Sequence, residues 1–277
     1  MLAAMSDYRR LSSRAVLSVT GPDAESFLQG IITQNVAAAQ PAAFSALLTP
    51  QGKVLFDFIL VRVAGGFLID TAAERAAALE KRIKLYKLRA KVEIAARDNL
   101  AVVWTPDAPT EAPADAAAVF ADPRLPVLGW RAVVPNETAS GDGEDAYHAA
   151  RRAAGVPEFG VSFDAEETFP LDVNYDVLNG VDYRKGCFVG QEVASRMKRK
   201  GEVRKRTMVV AFGASANVVR GADLKQGEAT VGVLIEPPRG QASDGLAIVR
   251  LDRISLAAPV DVDGASATAS RPAYLGD

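Results

Sequence analysis

The stretch Asp182-Tyr183-Arg184-Lys185-Gly186-Cys187-Phe188-Val189-Gly190-Gln191-Glu192 holds the one cysteine of the 277-residue chain, set between two glycines with two cations just ahead of it. The residues from Gln191 to Lys198 can wind into a helix, which puts Cys187 just before its N-terminus. A helix start and neighbouring cations both favour thiolate over thiol, and the thiolate is the nucleophilic and metal-ligating form. The pattern marks Cys187 as a candidate reactive or ligating residue. The plain alternative is a buried cysteine packed as a small, inert apolar side chain.

Asp57 is the second anomaly, the one charged residue in Val54-Leu55-Phe56-Asp57-Phe58-Ile59-Leu60-Val61. An unpaired carboxylate inside an apolar strand is costly or stays protonated. Asp57 must then meet a cation or a polar ligand in a cavity; a half-open strand face or a structural salt bridge serves as well. A third feature is the basic run Arg196, Lys198, Arg199, Lys200, Arg204, Lys205 and Arg206, opposed by Glu202 alone. Such a run can hold a phosphate backbone or a chain of carboxylates, or form a solvated helix end. It contains no aromatic residue for base stacking, which weighs against single-stranded nucleic acid. His148, beside Tyr147, reads as a surface or half-buried helix residue without catalytic duty.

Scarcity narrows the chemistry further. One cysteine makes no intrachain disulfide, Cys-rich zinc site or four-thiolate iron–sulfur cluster, and one histidine removes nearly all His-based metal sites. Lys and Arg number 32 against 34 Asp and Glu, so no whole-molecule field drives the chain onto nucleic acid or an anionic membrane. No apolar run reaches the ~20 residues of a membrane span. Met1–Gly21 has no apolar core of a signal peptide, and on that basis a cytoplasmic location is expected.

The elements that must position these residues follow from hydrophobic periodicity. Ala15–Val19 and Ala43–Leu48 read as strands, Val54–Val61 as a strand buried on both faces, and Gly65-Gly66 as the turn of a hairpin into Phe67-Leu68-Ile69. Helical spacing over Thr71–Ala90 places Ala76, Leu79, Ile83, Tyr86 and Ala90 on one stripe, with Glu80 and Lys84 paired outside. Strands near Val92–Ala95 and Leu100–Trp104, a short one near Ala117–Phe120 and a helix over Asp145–Ala154 complete an α+β body with ferredoxin-like character. After Arg206, short strands with Gly and Pro turns predict a small β-barrel or sandwich, with a fraying tail from Gly264.

Lys185-Gly186-Cys187-Phe188-Val189-Gly190-Gln191-Glu192 resembles the signature of the YgfZ family of folate-binding proteins, relatives of the aminomethyltransferase (T-protein) of the glycine cleavage system. Gly21-Pro22-Asp23 with Phe27-Leu28-Gln29-Gly30 and Thr33, Leu48-Thr49-Pro50-Gln51-Gly52-Lys53-Val54, Leu85-Tyr86-Lys87-Leu88-Arg89-Ala90-Lys91-Val92, Arg152 with Gly155-Val156-Pro157 and Phe159-Gly160, and Gly245-Leu246-Ala247-Ile248-Val249-Arg250 fit the family in order. The resemblance covers most of the chain. It implies an α+β, aminomethyltransferase-like fold: two α/β subdomains, one ferredoxin-like, around a central cavity, plus a small C-terminal β-barrel. The implied division is 1–200 (subdomains of about 1–45 with 141–200, and 46–140) and 201–277.

The resemblance also implies tetrahydrofolate as cofactor and a role in assembling or repairing iron–sulfur proteins, [4Fe-4S] clusters in particular, including enzymes that thiolate tRNA. Cys187 takes the place of the family's functional cysteine. Where the aminomethyltransferases carry an acidic pair, only Asp57 remains here, and their signature usually lacks the cysteine; both departures argue against glycine cleavage. On this reading Asp57 contacts the pterin or N5, Phe56 or Phe58 lines the cavity, Arg184, Lys185 or the later basic run holds the glutamate tail, and Cys187 stands near the mouth. One thiolate supplies at most one ligand per chain, so any cluster is shared with assembly proteins or client enzymes and bound transiently. The alternatives are a folate-dependent aminomethyltransferase or demethylase, with Asp57 as its acid or base, and an RNA-binding module resting on residues 196–206.

Overall fold

The structure is a computed structural model and describes residues 8–199, 203–213, 216–240 and 242–276. Lys200 and the expected boundary at 200/201 lie outside the described residues. In chain order the regular elements begin with β1 (Arg9–Arg10), β2 (Arg14–Thr20), α1 (Ala24–Ile31), β3 (Ala42–Leu48), β4 (Val54–Val63), β5 (Gly66–Ala72) and α2 (Ala73–Tyr86). Then come β6 (Glu93–Ala96), β7 (Leu100–Thr105), β8 (Ala118–Ala121), β9 (Trp130–Pro135), α3 (Glu144–Ala153) and α4 (Gln191–Arg199). The barrel strands are β10 (Lys205–Phe212), β11 (Asp223–Gln226), β12 (Ala229–Glu236), β13 (Asp244–Arg250), β14 (Val260–Val262) and β15 (Ala265–Ser270).

Three sheets result. A five-stranded sheet runs β3-β4-β5-β2-β6, a four-stranded sheet runs β1-β7-β9-β8, and the last six strands close a barrel in the order β10-β13-β12-β11-β14-β15. All eight residues from Val54 to Val61 are buried, Asp57 included, as a run apolar at all its other positions requires of a strand covered on both faces. Glu80 and Lys84 pair on α2 at 2.6 Å. That helix stops at Tyr86, short of the expected Ala90, because Leu88 adopts a left-handed backbone at φ 42° without a glycine or proline to announce it.

The tail from Gly264 does not fray. Its alternation of small and polar residues makes β15, with Ala267 and Ala269 inward and buried while Ser266, Thr268 and Ser270 face out. Val209 to Phe212 of β10 pair with Ser270 to Ala267 and shut the barrel. Closure leaves no open sheet edge there.

The lobes meet on buried charge. Arg14 of β2 donates to Asp70 of β5 (2.6 Å) and to Glu158 (3.1 Å), while Arg131 of β9 donates to Asp70 (2.6 Å) and Asp122 (3.2 Å). Arg124 grips Asp122 at 2.9 and 2.7 Å. The Tyr147 hydroxyl of α3 accepts from Arg124 (2.8 Å) and Arg131 (2.6 Å) and donates to Glu158 (2.6 Å). Arg151 of α3 crosses to the barrel, where both its terminal nitrogens hold Glu236 at 2.8 Å. Ser162 also donates to Glu236, at 2.6 Å. The network therefore joins both open sheets, α3 and the barrel.

Burial pushes the Asp122, Glu158 and Glu236 carboxyls up, but the facing guanidiniums outweigh it and hold all three below the usual carboxylate range. Each binds its proton more weakly folded than unfolded, so its contribution is complete above the unfolded value near pH 4 and is lost as pH falls below it. Thermal unfolding should accordingly show a steep loss of stability as pH falls below about 4. Arg131→Met, which leaves Asp70 with Arg14 alone and Asp122 with Arg124 alone, should cost about 3–5 kcal/mol in urea unfolding. A loss below about 1 kcal/mol would show that these pairs do not hold the lobes together.

Candidate functional site

The loop 182–190 is built from its own polar groups. Asp182 accepts the Arg184 backbone N–H at 2.8 Å, and the Lys185 ammonium turns inward. Its three donors go to the carbonyl oxygens of Gln29 (2.7 Å), Ile32 (2.6 Å) and Gln34 (3.2 Å), which follow or end α1. The ammonium also lies 5.3 Å over the buried Phe188 ring. Burial lowers its pKa to about 8. Gly190 has a left-handed backbone (φ 80°) against the 49–52 turn; a Cβ there would stand 2.5 Å from the Thr49 carbonyl oxygen. Two sequence motifs far apart in the chain thus lock together through Gly190, and Gly52 packs against Val193 of α4 in the same way.

Cys187 sits at the outer face of this anchored loop and is exposed. Its flanks, Lys185 and Phe188, point into the protein. The loop is held on both sides while the thiol faces solvent.

Asp57 lies elsewhere. It is 3% exposed, and its carboxylate accepts the Tyr175 hydroxyl at 2.5 Å. The Tyr175 ring meets the edge of Phe44, with centroids 4.7 Å apart. Burial raises the Asp57 carboxyl against the opposing pull of Arg14 and of the Tyr175 hydrogen bond, and burial likewise raises Tyr175 well above its ordinary range. Phe56 and Phe58 are buried too, and Phe56 packs near Phe159 at 5.9 Å between centroids.

The expected common hollow is corrected by this geometry. Neither Asp57 nor Cys187 lines any of five clefts of about 330–500 Å³ found among the described residues. The space between the lobes holds the guanidinium–carboxylate network. A reduced pterin does not fit the residues assigned to it: Asp57 is buried and accepts the Tyr175 hydroxyl, Phe56 and Phe58 are packed in the core, and Lys185 has spent its donors on backbone. Of those five candidates only Arg184 is exposed.

The basic run is divided in the same fashion. Lys198 and Arg206 both pair with Asp176, Lys198 at 2.7 Å, and Arg206 is buried. Arg204 and Lys205 instead border a cleft of about 410 Å³ with Met197 and Asp172. His148 is fixed between Glu144, 3.2 Å from its Nε2, and Arg151, which donates to its Nδ1 at 2.9 Å. Sequence reasoning missed Tyr175, 118 positions from Asp57, for which no spacing signal exists. It also missed the inward turn of Lys185.

Two outcomes follow for the site. Asp57→Asn keeps an acceptor for Tyr175 and removes a carboxyl that holds its proton more tightly folded than unfolded. The wild type should lose stability as pH rises from about 4 through the folded value, and the variant should lack this slope and be at least as stable at pH 7. Thermal unfolding of both across pH 4–8 checks it; an equal deficit of the variant at every pH would mean an ionised, paired Asp57. Lys185→Met should raise amide exchange across 29–34 and 183–190 by about tenfold or more, the effect of losing ~1.4 kcal/mol locally. Unchanged exchange there would show that the three carbonyl contacts do not anchor the loop.

Comparison with known proteins completes the picture. Residues 204–277 match the CAF17 C-terminal beta-barrel domain family. The Neurospora crassa protein named iron–sulfur cluster assembly factor IBA57 homolog, mitochondrial, is 39% identical over 229 residues, covering 72% of this chain and 52% of that protein. The human IBA57 iron–sulfur cluster assembly factor, also named mitochondrial, is 34% identical over 235 residues, covering 73% of this chain and 65% of the human one. The chain thus spans between half and two thirds of the length of these relatives. Their names point to mitochondria, which overturns the expected cytoplasmic location. The crystal structure of the glycine cleavage system aminomethyltransferase T from Bartonella henselae superposes with a TM-score of 0.74 at 16% identity, over 97% of this chain and 86% of that one. The homologues of this chain are IBA57 iron–sulfur cluster assembly factors, and its fold is that of an aminomethyltransferase ending in a closed six-stranded barrel.

Proposed function

We propose that this chain is an accessory factor of the YgfZ type for assembly or repair of iron–sulfur proteins, and that Cys187 is the residue that meets the cluster or its carrier. The observation that carries this reading is the placement of the thiol: exposed, on a loop whose neighbouring residues are anchored by Lys185 and Phe188. An anchored loop presents a reactive atom at small entropic cost to a partner. Among the described residues no three His, Cys, Asp or Glu side chains gather as a metal site. The cluster is therefore cargo, with Cys187 giving one ligand and an assembly protein or client enzyme giving the rest. [4Fe-4S] enzymes, those that thiolate tRNA among them, are the proposed clients.

One-carbon transfer from tetrahydrofolate is the weaker reading. It needs an acid or base facing a substrate, and Asp57 faces Tyr175 inside the core.

The test is complementation. In cells lacking their own factor, Cys187→Ala should accumulate to wild-type level, unfold at the wild-type temperature, and fail to restore the activity of [4Fe-4S] enzymes. The same thiol should be alkylated by iodoacetamide in the native protein without denaturant. Full rescue by Cys187→Ala would make the thiol dispensable and remove the proposal.

A further inference from the structure

A cleft of about 330 Å³ opens between α3 and the segment that follows β12, with Arg152, Arg239, His148 and Asp145 in its walls. Adjacent in sequence, Arg151 and Arg152 have different fates. Arg151 takes Glu236 with two hydrogen bonds at 2.8 Å, and Ser162 takes a further one. Arg152 reaches the same carboxylate through one nitrogen only, at 3.5 Å. Its Nε is buried with no hydrogen-bond partner among the described residues, although the whole residue is 4% exposed.

Charge balance sharpens the contrast. Arg14, Arg124, Arg131 and Arg151 face Asp70, Asp122, Glu158 and Glu236. Arg152 is the cation left over. Burial pushes its guanidinium down from the ordinary value, with the pull of Glu236 opposed by Arg151 and Arg239. A buried guanidinium with so little pairing is costly, and an anion in the adjoining cleft removes that cost.

The rest of the wall agrees. Arg239 adds a second, exposed guanidinium from the other element. His148 has both ring nitrogens engaged by Glu144 and Arg151, so it neither competes for an anion nor donates to one. Asp145 is exposed, and its repulsion is screened by solvent and salt. Guanidinium forks match oxyanions bidentately. Two forks from different elements suit a tetrahedral, doubly charged group better than a planar carboxylate. The volume lies at the lower end of the ~300–1,000 Å³ usual for small-molecule sites.

We propose that this cleft binds the phosphate group of a small molecule, held between Arg152 and Arg239. The site is independent of Cys187 and of the iron–sulfur reading.

Titration calorimetry and thermal unfolding of the full chain test it, with inorganic phosphate and glycerol phosphate as probes and acetate and sodium chloride as controls at matched ionic strength. Both phosphate probes should bind the wild type, with acetate at least about tenfold weaker. Arg239→Ala, an exposed change that does not touch the core, should weaken phosphate about tenfold or more. Arg152→Met should abolish the phosphate effect while unfolding, without phosphate, at or above the wild-type temperature. Phosphate indistinguishable from chloride, equal binding of acetate, or an unchanged phosphate effect in Arg239→Ala would each overturn the assignment. A large destabilisation of Arg152→Met that phosphate leaves unaltered would overturn it too, by showing Arg152 committed to Glu236.

Discussion

The contact between guanidiniums and carboxylates at the junction of the lobes is the constraint on which this structure turns. One apolar core runs through both open sheets, and within it Arg14, Arg131 and Arg151 reach across from three different elements to Asp70, Asp122, Glu158 and Glu236. Ion pairs of this depth gain little net stability over an apolar interface. Their value is geometric: each fork accepts its carboxylate in one orientation, so the lobes can dock in one way. Tyr147, accepting from two guanidiniums and donating a hydrogen bond to Glu158, completes the pattern without adding charge.

That junction also decides where chemistry can occur. A fold shared with an aminomethyltransferase is compatible with a ligand-filled centre, but in this chain the junction of the lobes carries paired guanidiniums and carboxylates. Function has accordingly to be sought at the surface. The loop 182–190 fits this requirement because inward and outward residues are assigned sharply along it: Lys185 and Phe188 are committed to the protein and Cys187 is not. Fold likeness at 16% identity carries no activity with it.

Much of the architecture was legible in the residues. The apolar run of β4, the Gly65-Gly66 turn and the Glu80–Lys84 spacing encode their structures locally, through burial period, backbone freedom and helical pitch. The end of α2 and the course of β15 were not legible. Leu88 takes a left-handed conformation that its type disfavours, and Ala267 and Ala269 carry too little apolar mass to signal a strand. For the site, sequence singled out Asp57 and Cys187 as anomalies, and each is unusual in the structure. Their partners are what local pattern cannot supply, since Tyr175 and the carbonyls that hold Lys185 lie more than a hundred residues away in the chain. Asp57 looked like a ligand contact because an isolated acid in an apolar strand has the same local signature whether it meets a pterin or a tyrosine.

The pairing of β15 with β10 has a temporal side. The strand that opens the barrel waits for the strand that shuts it, so nothing before the synthesis of Ser270 can complete the cylinder. Glu236 belongs to that cylinder, so Arg151, which also stands 3.2 Å from Glu158, gains its two-pronged partner only when the cylinder forms. During translation the nascent body therefore emerges with Arg151 lacking its barrel partner, a state in which a chaperone or premature aggregation has its opening.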